Sequence, residues 1–166
     1  MKLNGIILTL PKEIKILIGS FIFVLSVGFY TGLLFVSETS SANPNGIEEQ
    51  YLGNEEDEEA TIMKFKKSEK EMLSIVHSHM LSMSIIFFLV GLILSIADLN
   101  KKVKLFLIIE PFFSVILTFG GIYFLWKGLL WMKYVVMFSG SLMTLSFTLS
   151  IAIIIFQLFQ KHSSAN

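Results

Sequence analysis

Three side chains in this sequence have both the type and the setting to do chemistry within an apolar environment: His77, His79 and Glu110. Each lies in or beside a long apolar run, where a charged group costs roughly 2.5–3.5 kcal/mol or more at the centre of a bilayer. A neutral imidazole can ligate haem iron or copper, which makes His77 and His79 candidate cofactor ligands. A carboxyl in the same setting makes Glu110 a candidate proton or cation site. The histidines are two residues apart, about 200° around an α-helix, so they occupy opposite faces and cannot both hold one metal from a regular helix. A second ligand would come from another helix or another subunit, since no other span contains a histidine. Met80, Met83, Met132 and Met137 are soft alternatives, although methionine in an apolar span is ordinarily core.

Depth separates the three. Counted from Ala97, His79 is about 27 Å and His77 about 30 Å along the helix, at the far edge of a core about 30 Å thick. A histidine there costs little and can simply hydrogen-bond Tyr30 or Tyr123. Glu110 is deeper, about 10 Å along from Val103. Pro111 follows it and deprives the carbonyl of residue 107 of its donor, inviting a kink or a water. Alternatively the helix starts at Pro111, and Glu110 faces its positive end at the interface. Glu110 and the histidines lie about 17–20 Å apart along the membrane normal and cannot share one ion.

The elements that position these residues are four long apolar runs. The chain has 166 residues, 54% apolar and 16% charged, with a mean hydropathy of +0.72. Soluble domains run at about 45–50% apolar and about 25% charged. The charges fall between the runs, as in spans separated by loops. The expected fold is an all-α integral membrane protein, an antiparallel four-helix bundle of one domain over residues 1–166. Its spans are Ile14–Val36, Met72–Ala97, Val103–Trp126 and Tyr134–Phe159, each near the roughly 20 residues a bilayer requires. Ser40-Ser41-Ala42 resembles a signal-peptide cleavage site, but the first run is longer than the roughly 7–15 residues of such a leader's apolar region. Short turns make the second and third spans, and the third and fourth, antiparallel neighbours.

Composition excludes several classes. There is no cysteine, so disulfides, iron–sulfur clusters and thiolate metal sites are out. Every basic residue is lysine, and 13 acidic residues balance 13 basic ones, which gives no sign of a nucleic-acid partner. No GxxxxGK[ST], GxSxG or HExxH motif is present. Lys2, Lys12, Lys15, Lys101, Lys102, Lys104 and Lys161 fall at one end, and Lys64, Lys66, Lys67, Lys70, Lys127 and Lys133 at the other. The purely basic 101–104 turn and the nine acidic residues from Glu48 to Glu71 favour cytoplasmic termini and an extracytoplasmic loop 38–71. Trp126, Trp131 and Tyr134 form an aromatic belt at the loop end. Within the loop, Ser37–Gly46 reads as coil, and Lys64–Glu71 as the start of a helix. Glu48-Glu49 and Glu55–Glu59 form an acidic patch that either attracts cations or a basic partner, or is a solvated loop.

Helices in lipid associate through close packing and hydrogen bonds, so small and polar residues mark the interior. Ser74, His77, Leu81, Ser84, Phe88, Gly91, Ser95 and Asp98 form one face of the second span, and this face is expected to point inward. Ser139, Met143, Ser146 and Ser150 make a similar stripe on the fourth. Gly120 and Gly121 allow close approach to the third.

His77-Ser78-His79, Glu110-Pro111-Phe112, Leu117-Thr118-Phe119-Gly120-Gly121 and Leu125-Trp126-Lys127-Gly128 together resemble a family of small four-helix bacterial inner-membrane proteins, over roughly the last hundred residues. The resemblance implies a bacterial inner-membrane location. The His-x-His opening of an apolar span also resembles a motif in haem–copper oxidase catalytic subunits. That likeness implies a metal-facing role for His77 or His79, and it is opposed by far fewer helices and no further intramembrane histidine.

Three functions fit these residues. The first is a non-enzymatic accessory or assembly subunit with a membrane partner or a second copy of itself. The second is a haem- or copper-binding redox or sensing protein using His77 or His79. The third is a small oligomeric transporter or channel using Glu110.

Overall fold

A computed structural model describes residues 3–40, 43–55 and 62–160. Ser41 and Ala42 of the cleavage-like site, Glu56–Glu59 of the acidic patch, and Lys2 and Lys161 of the charge comparison lie outside these residues. Among the described residues, four helical segments are long and apolar enough to cross a membrane. They are α2 (Lys12–Ser40), α4 (Glu69–Ser95), a composite third segment, and α7 (Met132–Phe159). The third consists of α5 (Lys101–Val115), a π-helical turn (Ile116–Gly120) and α6 (Gly121–Trp126). Two short helices, α1 (Ile6–Thr9) and α3 (Pro44–Leu52), lie at opposite ends. We call the end carrying α3 and residues 127–131 the loop end, and the end carrying α1 and residues 96–100 the turn end.

Local chemistry sets the helix starts. Ser68 accepts from the Glu71 amide at 3.3 Å while the Glu71 carboxylate accepts from the Ser68 amide at 2.8 Å. This reciprocal box starts α4 at Glu69, five residues later than expected from Lys64, because it satisfies the amides that would otherwise be orphaned. The Asn100 side chain accepts from the Lys102 amide at 2.9 Å and starts α5. The coil expected over Ser37–Gly46 is corrected. Residues up to Ser40 complete α2, and Asn43 with Pro44 in the first turn opens α3. A Cβ at Gly46 would lie 1.8 Å from the Ser40 carbonyl oxygen, so this corner admits only glycine.

The main packing seam joins α5–α6 to α7. Gly121 allows it: a Cβ there would sit 2.9 Å from Cγ2 of Val136. The α7 stripe of Ser139, Met143, Ser146 and Ser150 is buried, as expected. Of the stripe on α4 only Gly91 is buried, with Ser84 and Ser95 half-buried. Ser74, His77, Leu81 and Phe88 are exposed, and the buried face runs through Met72, Phe87, Val90, Gly91 and Leu94. The serines do not need the interior because their own helix satisfies them: Ser78 donates to the Ser74 carbonyl at 2.7 Å and Ser84 to the Met80 carbonyl at 2.6 Å.

Helix α2 sits at the edge, with 6% of its most apolar window buried. Its anchor is Phe29, stacked on Phe147 with centroids 3.9 Å apart, beside a Tyr30–Thr148 hydroxyl bond of 2.8 Å. At the turn end Ile7 is fully buried and donates its amide to the Ile96 carbonyl. Gln157 pairs with both backbone groups of Asp98, locking the α4–α5 turn to the end of α7. At the loop end α3 and residues 62–68 fold over α6 and α7. Lys133 binds Glu48 at 2.6 Å, and the Trp126 indole donates to the Lys67 carbonyl at 2.8 Å. Trp126 is therefore buried under the loop, while Trp131 and Tyr134 remain exposed as belt residues.

Candidate functional site

Glu110 lies in the interior of the third segment. The helix runs unbroken from Lys101 through Pro111, so the alternative start at Pro111 is excluded. The residue is 7% exposed. Ser114, one turn on, donates its hydroxyl to Oε1 of Glu110. Oε2 is buried with no hydrogen-bond partner among the described residues. A buried carboxylate oxygen without a partner carries a large desolvation cost, which a proton, a cation or a water relieves.

The seam around it is lined with hydroxyls. Thr118 of the π-helical turn and Ser139 of α7 share a hydrogen bond of 2.7 Å, both buried. Because the helices are antiparallel, this bond sets their register. Stepping about 1.5 Å per residue from it along each helix brings Ser146 and Ser150 to within about one turn of the level of Glu110. Both are 1% exposed. Pro111 has no amide hydrogen, so the Leu107 carbonyl, at the same level, lacks its usual helical donor. The π-helical turn begins five residues beyond Pro111, just past Ser114. Such turns reaim a helix face and recur at functional sites. The sequence pointed to Glu110 and to the α7 stripe separately, but not to their meeting. The signal for it was the spacing Glu110-x-x-x-Ser114-x-x-x-Thr118, a polar ridge on one side of a helix.

The histidines are not part of this cluster. Both are exposed on α4. His79 places Nδ1 2.8 Å from its own Ile75 carbonyl, and its ring centroid is 4.8 Å from that of Phe119. Neither bonds Tyr30 or Tyr123: Tyr30 is taken by Thr148, and Tyr123 lies beneath Lys127, whose Nζ is 5.5 Å from the ring. Among the described residues no three His, Cys, Asp or Glu side chains gather in a metal-holding group.

At the loop end the acidic residues act as ion-pair partners. Glu48 meets Lys133, Glu49 meets Lys64 at 3.9 Å and Glu69 meets Lys127 at 3.2 Å. The hydrogen bond to Glu69 holds the Lys127 ammonium above its ordinary value, and burial raises the Tyr51 phenol.

Residues 41–165 match the model of a family described as a transmembrane helical domain, Aq_1264_TM. The chain belongs to that family. The match covers the loop-end segment and the α4, α5–α6 and α7 spans, so Glu110 and its hydroxyls fall within the Aq_1264_TM region. The peripheral α2 falls outside it. No curated protein and no solved structure matches the chain.

Proposed function

We propose that this protein handles a proton or a small cation at Glu110 inside the bilayer, as a small transporter or channel that works as an oligomer. One observation carries the reading. Glu110 is a buried carboxyl within a membrane-spanning segment, and one of its oxygens has no partner. Intramembrane ionisable groups are costly and are kept for a use. Four spans without a broken-helix repeat are few for a monomeric carrier, which is why the reading includes self-association. The test is ion flux into proteoliposomes. Wild-type flux that Glu110→Gln abolishes supports the reading; equal flux in both defeats it.

A second reading is an accessory or assembly subunit. It is favoured by the outward-facing polar stripe on α4, where Ser74, His77 and Ser78 are exposed. A partner that co-purifies in mild detergent, and is lost when these residues are changed to leucine, would support it. A haem or copper centre on His77 or His79 has less support, since among the described residues no three His, Cys, Asp or Glu side chains gather in a metal-holding group. Oxidised and reduced absorption spectra with metal analysis test it directly.

For orientation we propose that the termini face the cytoplasm, in a bacterial inner membrane. Lys12, Lys101 and Lys102 are exposed at the turn end, whereas three loop-end lysines are ion-paired.

A further inference from the structure

We propose that residues 62–65 at the loop end dip into the phospholipid headgroup boundary as a shallow membrane anchor beside the spans, with Ile62, Met63 and Phe65 as the inserted side chains. The observation is an inversion of side-chain direction. In Ile62-Met63-Lys64-Phe65, water would draw the lysine outward and leave the apolar residues inside. Here the three apolar residues are the exposed ones, at 70%, 57% and 67%. Lys64 turns inward: its Nζ donates to the Thr39 carbonyl at 2.8 Å and lies 3.9 Å from the Glu49 carboxylate. A surface that hides its charge and presents contiguous apolar groups is built to face something apolar.

The level of the segment identifies its surroundings as lipid. The third span, Lys101–Trp126, has 26 residues. At about 1.5 Å per residue it is about 38 Å long, against a hydrocarbon core of about 30 Å. Trp126 therefore stands within about 8 Å of the core edge, in the boundary that tryptophan favours. The segment is tied to that level, because the Trp126 indole donates to the Lys67 carbonyl at 2.8 Å and Lys66 Nζ lies 5.5 Å from the Trp126 ring. Phe65 is two residues from Lys67, so its Cα is at most about 7 Å away. Trp131 and Tyr134, exposed where α7 begins, mark the same boundary. The backbone is also prepared for an apolar setting. Asn54 brackets the segment: its amide donates to the Lys64 carbonyl at 3.0 Å, its side-chain oxygen accepts from the Lys64 amide at 2.6 Å, and its side-chain nitrogen donates to the Ile62 carbonyl at 3.0 Å. Gly53, at φ +84°, permits this approach, since a Cβ there would meet the Lys64 carbonyl oxygen and the Lys66 amide at 2.8 Å. Backbone groups satisfied within the protein are what a boundary poor in water requires.

The test uses the full chain, which has no cysteine, carrying one introduced cysteine at a time with a small fluorophore, in phosphatidylcholine liposomes. Met63→Cys and Phe65→Cys report the segment. Leu81→Cys, exposed on α4, is the reference within a span, and Glu55→Cys is the exposed polar reference at the same end of the molecule. Lipid brominated in its acyl chains should quench the labels at 63 and 65 at least about half as strongly as the label at 81, and aqueous iodide should quench them about threefold less than the label at 55, as expected for side chains set into the headgroup boundary. Iodide quenching equal to that at 55, with no quenching by brominated lipid, would show a solvated segment and overturn the proposal. Exclusion of both quenchers would show a protein cover, from a partner or a second copy, and overturn it equally. Ile62→Ser with Phe65→Ser in the Met63→Cys protein should raise iodide quenching towards that at 55. Quenching unchanged by these serines would show that the side chains do not anchor the segment, and would also overturn the proposal.

Discussion

Replacing Glu110 by leucine should make the protein more stable while removing its ion chemistry. The carboxyl is buried, and Oε2 has no partner among the described residues. An unsatisfied buried acceptor costs about 1–3 kcal/mol, whereas an apolar group of similar size at the same place is near neutral or favourable. The one bond lost is that from Ser114. Its hydroxyl can turn back to its own helix, as those of Ser26, Ser78, Ser84 and Ser141 already do at 2.6–2.8 Å to the carbonyl four residues earlier. The net expectation is a gain of about 1–2 kcal/mol, with each kcal/mol raising Tm by roughly 2–4 °C for a chain of this size. The assay is thermal unfolding in detergent in sodium-free choline buffer, so that no bound ion contributes to the wild type. Glu110→Ala is the control, since the cavity it leaves should destabilise. A Glu110→Leu protein less stable than wild type by 1 kcal/mol or more would refute the reasoning, for it would show that the carboxyl makes favourable contacts in the seam.

Three further outcomes follow from the packing and the loop end. Gly121→Ala places a methyl 2.9 Å from Val136 Cγ2 and should cost about 1–3 kcal/mol by overpacking; Val136→Ala should recover most of it in a double-mutant cycle. Gly46→Ala, with its Cβ directed at the Ser40 carbonyl, should open the corner between α2 and α3, and limited proteolysis should then cut between residues 40 and 68 faster than in the wild type. Burial raises the Tyr51 phenol above its ordinary value near 10.0, so its contribution to stability is complete below that pH and is lost as pH rises through the raised folded value. Ultraviolet titration should show a late tyrosinate step that Tyr51→Phe removes.

Composition and run length located the four spans because lipid imposes a simple rule: about 20 apolar residues, closed on themselves by helical hydrogen bonds. The loop end was harder to read. Ser37–Gly46 has coil composition, yet one capping asparagine, one proline and one glycine turn part of it into α3, and their effect depends on the Ser40 carbonyl that Gly46 must pass. Lysines counted as loop charge are ion-pair partners of the acidic residues thought to be solvated, because the segment folds back over α6 and α7 instead of standing in water. Trp126 looked like a belt residue and is held under that fold by its bond to Lys67.

The two serine stripes make the limits of the site reading concrete. On α4 and on α7 the pattern is the same, with small polar residues at spacings of three and four, and a single-helix argument assigns both inward. Only α7 obeys. The difference lies in what faces each stripe. The ridge Glu110, Ser114 and Thr118 on the third segment answers Ser139, Ser146 and Ser150, and the Thr118–Ser139 bond joins them. Among the described residues no comparable polar ridge answers Ser74, His77 and Ser78, which are exposed, and Ser78 bonds its own backbone. A hydroxyl in a membrane helix can always satisfy itself four residues back, so alone it says little about direction. A carboxyl cannot do so as cheaply. It is therefore Glu110, the residue least able to satisfy itself from its own helix, that should orient the third segment and decide which stripe becomes interior. Glu110→Leu should leave this face of α7 buried, because its own Phe147 and Ile154 are fully buried apolar side chains. Glu110→Lys at the same place should expose the Ser146 face, read as increased labelling of a Ser146→Cys reporter by a membrane-permeant thiol reagent. Unchanged labelling would mean that packing at Gly121, not the carboxyl, sets the seam.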